Sequence, residues 1–432
     1  MADHARSDDP AVQAQLDRFA QLSPGRDILG LERITQLLAR VGNPHEHLPP
    51  VFHVAGTNGK GSTCAFLRAA VEAAGLTAHV YTSPHLCRFN ERIRIGGSLI
   101  EDSALAPLLS EVLDAACDLG VSFFEATTAA AFLAFARKRA DVAIIEVGLG
   151  GRLDATNVIA GPAICGIAQL GIDHQAFLGD NAVDIAGEKA GIAKAGVPLI
   201  TMKYDAPITQ RIAQIADAAG APMRARGSEW DAAPYQQKLH YRDAGGTLSL
   251  PLPSLPGMHQ AQNAALAIAM LRHQSAVNIS DAALKAAMGW ALWPARIQRM
   301  ARGPLNPDDR DIWIDGCHNE PAAVAIATHF RSIVAPGAPF HIIVGILANK
   351  DAAGLIRQFK GLATHMTALP VHDHAHHVPE ALAAMGDALG IVSGSAASLS
   401  EAVPKHADIP TLIIGSLYLA GEALRANQQM PD

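Results

Sequence analysis

The segment 51–62 contains the clearest combination of functional residue types in this chain. A β-prone apolar stretch, 51–54, leads into a glycine-rich turn, 56–61, and an apolar helical pattern follows over 62–74. In a strand–loop–helix unit, the loop amides and the positive end of the helix dipole favour an anion. Lys60 adds a full positive charge, so this segment predicts a phosphate cradle.

The spacing within this turn departs from the common P-loop. Only two residues separate Gly56 from Gly59, and Gly61 stands between Lys60 and Ser62. The alternative interpretation is a tight β–α turn with a solvated lysine. Three glycines, a lysine and a hydroxyl group within seven residues favour a nucleotide site.

An acidic residue follows a second predicted strand. The apolar run 142–147 is typical of a buried strand, and Glu146 stands near its end, before the glycine-rich turn 148–151. Because the carboxyl ends of parallel strands face the ligand crevice of a doubly wound sheet, Glu146 is a candidate ligand of Mg²⁺. The alternative is an ion pair with Arg152.

Two more strand ends carry polar side chains. Ser83 follows the predicted strand 78–82, where residue types alone favour a Ser-Pro turn over a metal ligand. His174 follows the predicted strand 164–170 and is explained equally well as a ligand or as a hydrogen-bonded histidine. Lys189 lies on a predicted helix, where a solvated surface lysine is the usual case.

Short apolar strands alternate with helical patterns through this part of the chain. The alternation predicts an α/β fold with a mostly parallel sheet and helices on both faces. Further elements are expected as a strand at 198–201 and helices at 104–119, 126–139, 184–195 and 259–272. The segment 223–255 differs, because its alternation, its Gly-Gly pair and its prolines indicate a small β excursion.

A domain boundary is predicted at the Trp-Pro-Ala sequence 293–295. Beyond it a second strand–helix rhythm begins, with strands expected at 312–314, 341–346, 365–369, 391–392 and 411–415. Roughly 135 residues suffice for one domain. We therefore expect a P-loop-type domain at 1–294 and a smaller, Rossmann-like α/β domain at 295–432.

Composition limits the possible function classes. A length of 432 residues favours two domains, and 49% apolar with 17% charged residues is typical of a globular protein. The net charge of −7 argues against nucleic acid as a partner, because no basic surplus is present to neutralise phosphates. Five scattered cysteines favour reduced thiols in the cytoplasm. We expect no membrane span and no apolar signal core at the N-terminus.

A histidine cluster stands apart from these motifs. His372, His374, His376 and His377 are close in sequence, but no cysteine or second ligand group accompanies them. A solvated polar loop is therefore favoured over a zinc site.

Seven motifs together resemble a known family. They are Gly56-Thr-Asn-Gly-Lys-Gly-Ser62, Thr82-Ser-Pro-His-Leu86, Phe124-Glu125, the block 146–157, Asp173-His174, Glu188-Lys-Ala-Gly-Ile192 and Asp315-Gly-Cys-His-Asn319. In this order they are similar to the folylpolyglutamate synthase/dihydrofolate synthase family, relatives of the Mur peptidoglycan ligases. The resemblance runs from about residue 25 to the C-terminus.

The resemblance implies roles that residue types alone leave open. Nucleotide contacts are implied for Thr57, Asn58, Gly59, Lys60, Gly61, Ser62, Gln260, Asn263, Arg296 and Asp315. Two Mg²⁺ ions are implied at Ser83, Glu146 and His174. Catalytic roles are implied for Lys60, Glu146, His174 and Lys189, the last as a carbamate. A pterin site is implied at Ser122, Phe124, Leu153, Asp154 and Ala155.

Two motifs of the second domain depart from the family pattern. Ala295 stands where the family often has glycine, and Cys317 and Glu320 replace residues of an Asp-Gly-Ala-His-Asn-Pro motif. Because Glu320 adds a charge, the resemblance does not assign the glutamate-binding residues.

The resemblance implies an ATP-dependent carboxylate–amine ligase. The substrates would be ATP, L-glutamate and dihydropteroate or a reduced folate, joined through an acyl phosphate. The first domain would bind ATP and the pterin, the second would serve glutamate ligation, and we expect a monomer. The alternatives are a Mur-type amino-acid ligase, which usually has a nucleotide-sugar domain before the loop, and a non-enzymatic nucleotide-binding module.

Overall fold

The computed structural model describes residues 5–22, 29–404 and 409–432. The start of the family resemblance, near residue 25, lies outside these residues. The described chain divides into two compact units. The first comprises the described residues of 1–254, 260–292 and 432, and the second those of 255–259 and 293–431. The predicted functional domains, 1–294 and 295–432, are a separate matter from these compact units and remain a prediction.

An eight-stranded sheet, counted over the described residues, organises the first unit in the order β4-β3-β2-β5-β1-β6-β7-β8. All neighbours pair in parallel except β2 with β3 and β3 with β4. Its strands are β1 (Val51–Ala55), β2 (Ala78–Tyr81), β3 (Ile93–Ile95), β4 (Ser98–Leu99), β5 (Val142–Glu146), β6 (Ile164–Ile167), β7 (Leu199–Thr201) and β8 (Met223–Ala225).

Helices cover both faces of this sheet. They are α1 (Pro10–Leu22), α2 (Glu32–Arg40), α3 (Lys60–Ala73), α4 (Asp102–Ala116), α5 (Phe123–Arg137), α6 (Gln175–Leu178), α7 (Ala182–Ala190), α8 (Ala206–Ala219), α9 (Met258–His273) and α10 (Asp281–Trp290). Short 3₁₀ helices lie at Pro44–His47, Phe89–Arg92 and Ala155–Val158.

The core follows the alternation of side chains along the strands. Ala143 and Ile145 of β5 pack with α2, α4 and α5, and Cys165 and Ile167 of β6 pack with α7 and α8. Gly166 points to the opposite face, where α9 lies so close that an added Cβ would come within 2.4 Å of a methionine sulfur atom. The predicted α/β class is confirmed.

The β excursion is smaller than the sequence predicts. Met223–Ala225 joins the large sheet as its parallel edge strand β8, because it pairs with β7. The antiparallel sheet contains β9 (Trp230–Tyr235), β10 (Lys238–Asp243) and β11 (Gly246–Pro251).

The second unit has a six-stranded sheet, counted over the described residues, in the order β12-β13-β17-β14-β15-β16. The strands are β12 (Gln298–Arg299), β13 (Ile312–Ile314), β14 (His341–Val344), β15 (His365–Ala368), β16 (Val392–Ser395) and β17 (Thr411–Ile414). The helices are α11 (Glu320–Ile333), α12 (Ala352–Arg357), α13 (Pro379–Ala388), α14 (Leu399–Ala402) and α15 (Leu417–Ala426). Only β12 pairs antiparallel in this sheet, so the predicted second α/β set is confirmed.

Several helix boundaries differ from the prediction, and three of them matter for the site. Helix α3 begins at Lys60, so the lysine belongs to the first helical turn. Helix α5 begins at Phe123, three residues early, and α7 ends at Ala190, five residues early, with Gly191 as its C-cap. In α5 the reason is the Ser-Phe-Phe-Glu capping box, which the periodicity of apolar residues does not reveal.

A partly buried ion pair attaches the small sheet to α9. Arg272 donates through Nε to Asp243 Oδ2 at 2.6 Å and through Nη2 to Oδ1 at 2.8 Å. Burial raises the pKa of Asp243, but the hydrogen bonds from Arg272 and Tyr241 outweigh it, and the net shift is downward. The pair therefore stabilises the fold above the pKa of an unfolded aspartate, about 4, and this stability is lost as pH falls through the lower folded pKa.

We predict that Asp243→Ala lowers the free energy of unfolding by about 1–3 kcal/mol at neutral pH, because a partly buried guanidinium loses its bidentate partner. Urea unfolding measures the change. Arg242→Ala on the same strand is the control, since its 3.6 Å pair with Asp231 is exposed, and we expect a loss within about 0.5 kcal/mol. Equal losses in the two variants would contradict the assignment.

Candidate active site

The glycine-rich turn is tied to the end of β6 by its backbone. The amide groups of Thr57 and Asn58 donate to the carbonyl oxygen of Gln169 at 2.9 and 3.0 Å, and the Thr57 hydroxyl donates to Gly171 O at 2.9 Å. These two amides therefore do not face an anion. The free donors of a helix N-terminus are the first-turn amides, which in α3 belong to Lys60, Gly61 and Ser62.

Lys60 folds back over the turn. Its ammonium group donates to the carbonyl oxygens of Gly56 at 3.1 Å and Thr57 at 3.3 Å, and Nζ lies 4.0 Å from Glu146 Oε1. A full positive charge therefore lies beside the amide end of α3, the arrangement that favours a phosphate group.

Glu146 is the last residue of β5 and only 4% exposed. The predicted alternative, an ion pair with Arg152, is wrong, because Arg152 pairs with Glu188 at 2.9 Å. Glu146 instead lies next to Lys60 and accepts a hydrogen bond from the Ser83 amide at 3.3 Å. The structure thus brings together a carboxylate, a lysine and a serine that are far apart in sequence.

The second and third predicted metal ligands differ in exposure. Ser83 follows β2 and is partly buried beside Glu146. His174 is exposed at the start of α6, with φ +53°, and its amide donates to Asp173 Oδ1 at 2.8 Å. Carboxylate and hydroxyl oxygens suit Mg²⁺, so the Glu146 and Ser83 side chains fit a divalent ion.

Lys189 is not the solvated residue that helix position alone suggests. It is 4% exposed, and its Nζ donates to Gly56 O at 3.0 Å, at the base of the glycine-rich turn. Burial, together with the nearby charge of Lys60, lowers its pKa to about 7. A substantial fraction of the side chain is therefore a neutral amine at physiological pH.

Helix α9 brings two buried side-chain amide groups, those of Gln260 and Asn263, to the same turn. Gly59 has φ +83°, and an added Cβ would lie 2.3 Å from Asn263 Oδ1, so only glycine fits there. Asn263 donates to Gln260 Oε1 at 3.0 Å, and Gln260 Nε2 is buried without a hydrogen-bond partner among the described residues. A buried donor without a partner beside this turn fits a ligand with acceptor atoms.

Phe124 packs against the turn that follows β5. An added Cβ at Gly148 would lie 2.3 Å from Phe124 Cζ, so this glycine makes room for the ring. Tyr81 lies behind the ring, with centroids 6.0 Å apart, and Phe124 remains partly exposed. A partly exposed aromatic ring in this position can stack on a flat heterocycle.

The neighbouring Ser122 has a structural role in the helix. Its hydroxyl accepts from the Glu125 amide at 3.2 Å, and Glu125 Oε2 accepts from the Ser122 amide at 2.7 Å. Arg33 also donates to this carboxylate at 3.1 Å. The predicted contact of Ser122 with a pterin remains a prediction.

Asp154 and its neighbours are the other residues of the predicted pterin site. Asp154 is 2% exposed and caps the 3₁₀ helix that begins with the buried Ala155. Its Oδ2 accepts from the Leu149 amide at 2.7 Å, and burial raises its pKa. Leu153 is partly exposed beside it.

In the second unit, Asp315 holds a turn that contains Arg296. Asp315 Oδ2 accepts from the Ile297 amide at 2.9 Å and Oδ1 from the Cys317 amide at 2.8 Å. Ala295 and Ile297 have φ +53° and +45°, values that favour glycine and that are rare for a β-branched residue. The departure from glycine at position 295 therefore places an alanine in left-handed backbone. The roles of Arg296 and Asp315 toward a nucleotide remain predictions.

Two other features of the second unit concern charge. Glu320, whose charge left the glutamate site unassigned, pairs with Arg357 at 2.9 Å. In the histidine cluster, His372 contacts Glu422 at 3.2 Å and His374 stacks on Tyr418. Within the described ranges, no group of three or more His, Cys, Asp or Glu side chains is arranged to hold a metal ion.

The described helices include none with the length and apolar character needed to cross a membrane.

Comparison with known proteins defines the class first. Residues 54–271 match the sequence model of the Mur ligase middle domain. The chain is 36% identical to the dihydrofolate synthase/folylpolyglutamate synthase of Escherichia coli over 79% of this chain and 78% of that protein. It is 34% identical to the folylpolyglutamate synthase of Lacticaseibacillus casei over 90% and 92%.

Solved structures agree with this class. Escherichia coli FolC in complex with DHPP and ADP superposes with a TM-score of 0.86 at 32% identity, over 96% of this chain and 97% of that one. A bifunctional folylpolyglutamate synthase/dihydrofolate synthase with Mn, AMPPNP and L-glutamate bound gives 0.84 at 30% identity, over 96% and 97%. The chain therefore belongs to the dihydrofolate synthase/folylpolyglutamate synthase family of Mur-type ligases.

Some contacts in this site were not predicted from the sequence. The anchoring of the turn by Gln169 uses a main-chain carbonyl group, for which no side-chain pattern exists. The Ser122–Glu125 capping box does have a sequence signature, and reading that signature would have placed the start of α5 correctly. The hydrogen bond from His53 to Thr156 joins distant segments and leaves no local pattern.

We predict that the stability of a Lys189→Met variant relative to the wild type depends on pH. Between about pH 7 and 10 the unfolded chain holds a proton on this lysine that the folded protein has lost, so wild-type stability rises with pH. Methionine has no such dependence. The variant should therefore be most stable relative to wild type near pH 6 and lose this advantage toward pH 10.

Urea unfolding in buffers freed of carbon dioxide measures this difference. Lys203→Met, at an exposed lysine, is the control and should show no comparable trend. A stability difference for Lys189→Met that stays constant with pH would show that the buried amine keeps its ordinary pKa.

Proposed function

We propose that this chain is an ATP-dependent ligase that adds L-glutamate to dihydropteroate, to reduced folates or to both, forming ADP and phosphate. One observation carries the proposal. The buried Glu146 and Lys189 side chains converge on the glycine-rich turn that Lys60 covers. The family membership of the chain supports the same activity.

The first step would transfer the γ-phosphate to the pteroate carboxylate, giving an acyl phosphate and ADP. The first-turn amides of α3 would bind phosphate oxygens, and Lys60 would neutralise charge that builds up during transfer. Two backbone carbonyl groups and Glu146 hold Lys60 over the turn, so its charge is in place before the substrate binds.

Ser83 and Glu146 are the side chains that would hold a divalent metal in this step, with His174 as the third predicted ligand. When bound, Mg²⁺ would supply positive charge against the phosphate oxygens. Relatives have been crystallised with AMPPNP and a manganese ion. The number of ions, two by our prediction, is part of the proposal.

Lys189 would act as an anion in this site. Its amine, with a pKa of about 7, can attack carbon dioxide, forming an N–C bond and releasing one proton to give a carbamate. The negative group would stand at the Gly56 carbonyl end of the turn and would help to hold the cation of the phosphate region. Burial excludes bulk water from the group.

In the second step, the amine of L-glutamate would attack the acyl carbon. A tetrahedral intermediate forms, phosphate leaves, and the amine loses its proton as the amide bond is made. Phe124 would stack on the pterin ring and Asp154 would accept hydrogen bonds from it. Together these contacts would place the carboxylate for the reaction.

The remaining predictions belong to the same proposal. The first predicted domain, 1–294, would bind ATP and the pterin, and the second, 295–432, would serve glutamate ligation. A monomeric state, a cytoplasmic location and the absence of nucleic acid among the partners also remain predictions.

The decisive experiment is steady-state phosphate release with dihydropteroate and with tetrahydrofolate, each with and without L-glutamate. We expect release that depends on glutamate with one or both acceptors. Release only with a nucleotide-sugar acceptor would indicate a Mur-type ligase instead. Nucleotide binding without turnover on any acceptor would indicate a binding module.

We predict that Lys60→Ala and Glu146→Ala each lower kcat by at least about 100-fold, the scale of losing one electrostatic element of a transition state. Both variants should fold normally, as circular dichroism would show. Glu146→Ala should also need more Mg²⁺ for half-maximal rate. Glu111→Ala, at an exposed carboxylate, is the control. Near-native turnover in Glu146→Ala would remove the metal assignment.

A further inference from the structure

A chain of buried hydrogen bonds runs from β1 to the predicted pterin site. The Thr156 hydroxyl lies 2.5 Å from Asp154 Oδ1, and His53 Nε2 lies 2.9 Å from the same hydroxyl oxygen. His53 and Thr156 are fully buried, and Asp154 is nearly so. His53 belongs to the strand that ends in the glycine-rich turn.

The number of protons available determines which group donates in each of these hydrogen bonds. A threonine hydroxyl has a single proton, and donating it to the carboxylate leaves only lone pairs toward His53. His53 must therefore donate through Nε2–H, which defines its neutral tautomer. Burial lowers the pKa of His53 to about 3, in agreement with a neutral ring.

Asp154 is restrained from both sides by these contacts. Its Oδ1 also accepts from the Thr156 amide at 3.0 Å, and its Oδ2 accepts from the Leu149 amide. Leu149 follows Gly148, against which the Phe124 ring packs. The position of the carboxylate is thereby coupled to the turn that supports the aromatic ring.

We propose that His53 and Thr156 are positioning residues that orient the Asp154 carboxylate toward the pterin. In this arrangement β1 serves both substrates, holding the phosphates through its glycine-rich turn and the pterin through His53 and Thr156. The inference rests on the proposed function, because it takes Asp154 as a pterin contact.

Stability alone does not favour a histidine at position 53. His53 Nδ1 is buried without a hydrogen-bond partner among the described residues, which costs free energy that an apolar side chain would avoid. A helix cap by Asp154 needs only the Thr156 amide. The additional bond from the imidazole restricts the Thr156 hydroxyl to one rotamer and so fixes the acceptor geometry of the carboxylate.

The test compares the KM for dihydropteroate with the KM for ATP at saturating glutamate. Thr156→Val and His53→Leu remove the hydrogen bonds with little change in volume. Each should raise the dihydropteroate KM about tenfold and leave the ATP KM unchanged, the effect of one lost buried hydrogen bond. Thr156→Ser and His53→Gln keep the required donor and should restore most of the affinity.

A double variant and two references make the result specific. His53→Leu combined with Thr156→Val should raise the dihydropteroate KM no more than either change alone, because both break the same series of hydrogen bonds. Phe124→Ala is the positive reference for a damaged pterin site. His79→Leu is the matched control, since His79 is a buried histidine on β2 whose 2.8 Å bond goes to Lys138 O.

The outcomes separate this inference from the proposed function. A wild-type dihydropteroate KM in Thr156→Val, with a raised value in Phe124→Ala, would overturn the positioning role alone. No effect in Phe124→Ala, or no turnover of pteroates by the wild type, would overturn the proposed site or function and the positioning role with it. An equal rise in His79→Leu would identify general loosening of the sheet and also overturn the inference. If His53→Leu fails to fold, the Thr156 pair decides.

Discussion

The pairing of β1 between β5 and β6 is the constraint on which the site depends. Val54 lies in register with Glu146 on one side and with Gly166 on the other. Because all three strands are parallel, their carboxyl ends open at the same edge of the sheet. The glycine-rich turn, the acidic strand end and the Gln169 carbonyl group that anchors the turn are adjacent for this reason.

Burial of polar groups at this edge explains their altered chemistry. Low solvation moves the pKa of Lys189 down and that of Asp154 up, in each case toward the neutral form. Each group also has a short bond to the backbone, Lys189 to Gly56 and Asp154 to Leu149. Each side chain is therefore held by a backbone hydrogen bond, and burial favours its neutral form.

Much of the fold was predictable, because it depends on local patterns. Apolar runs located β1, β5 and β6, and the glycines located the turn before α3. Helix starts were less accurate, since α5 begins at a capping box whose hydrogen bonds override apolar periodicity. Strands β3 and β4, which pair with each other next to β2, were missed because they are only three and two residues long.

The fold class and the glycine-rich turn follow from the sequence alone, and its motifs indicate the family. These are encoded in residue types at short spacing, where backbone conformation and charge follow directly from the side chains. The folded structure was needed to show that Arg152 pairs with Glu188 while Glu146 lies beside Lys60. It was also needed to show that Lys189 is buried and that His53 is linked to Asp154 through Thr156. The physical reason is that desolvation and hydrogen-bond pairing depend on which distant segments the sheet places side by side.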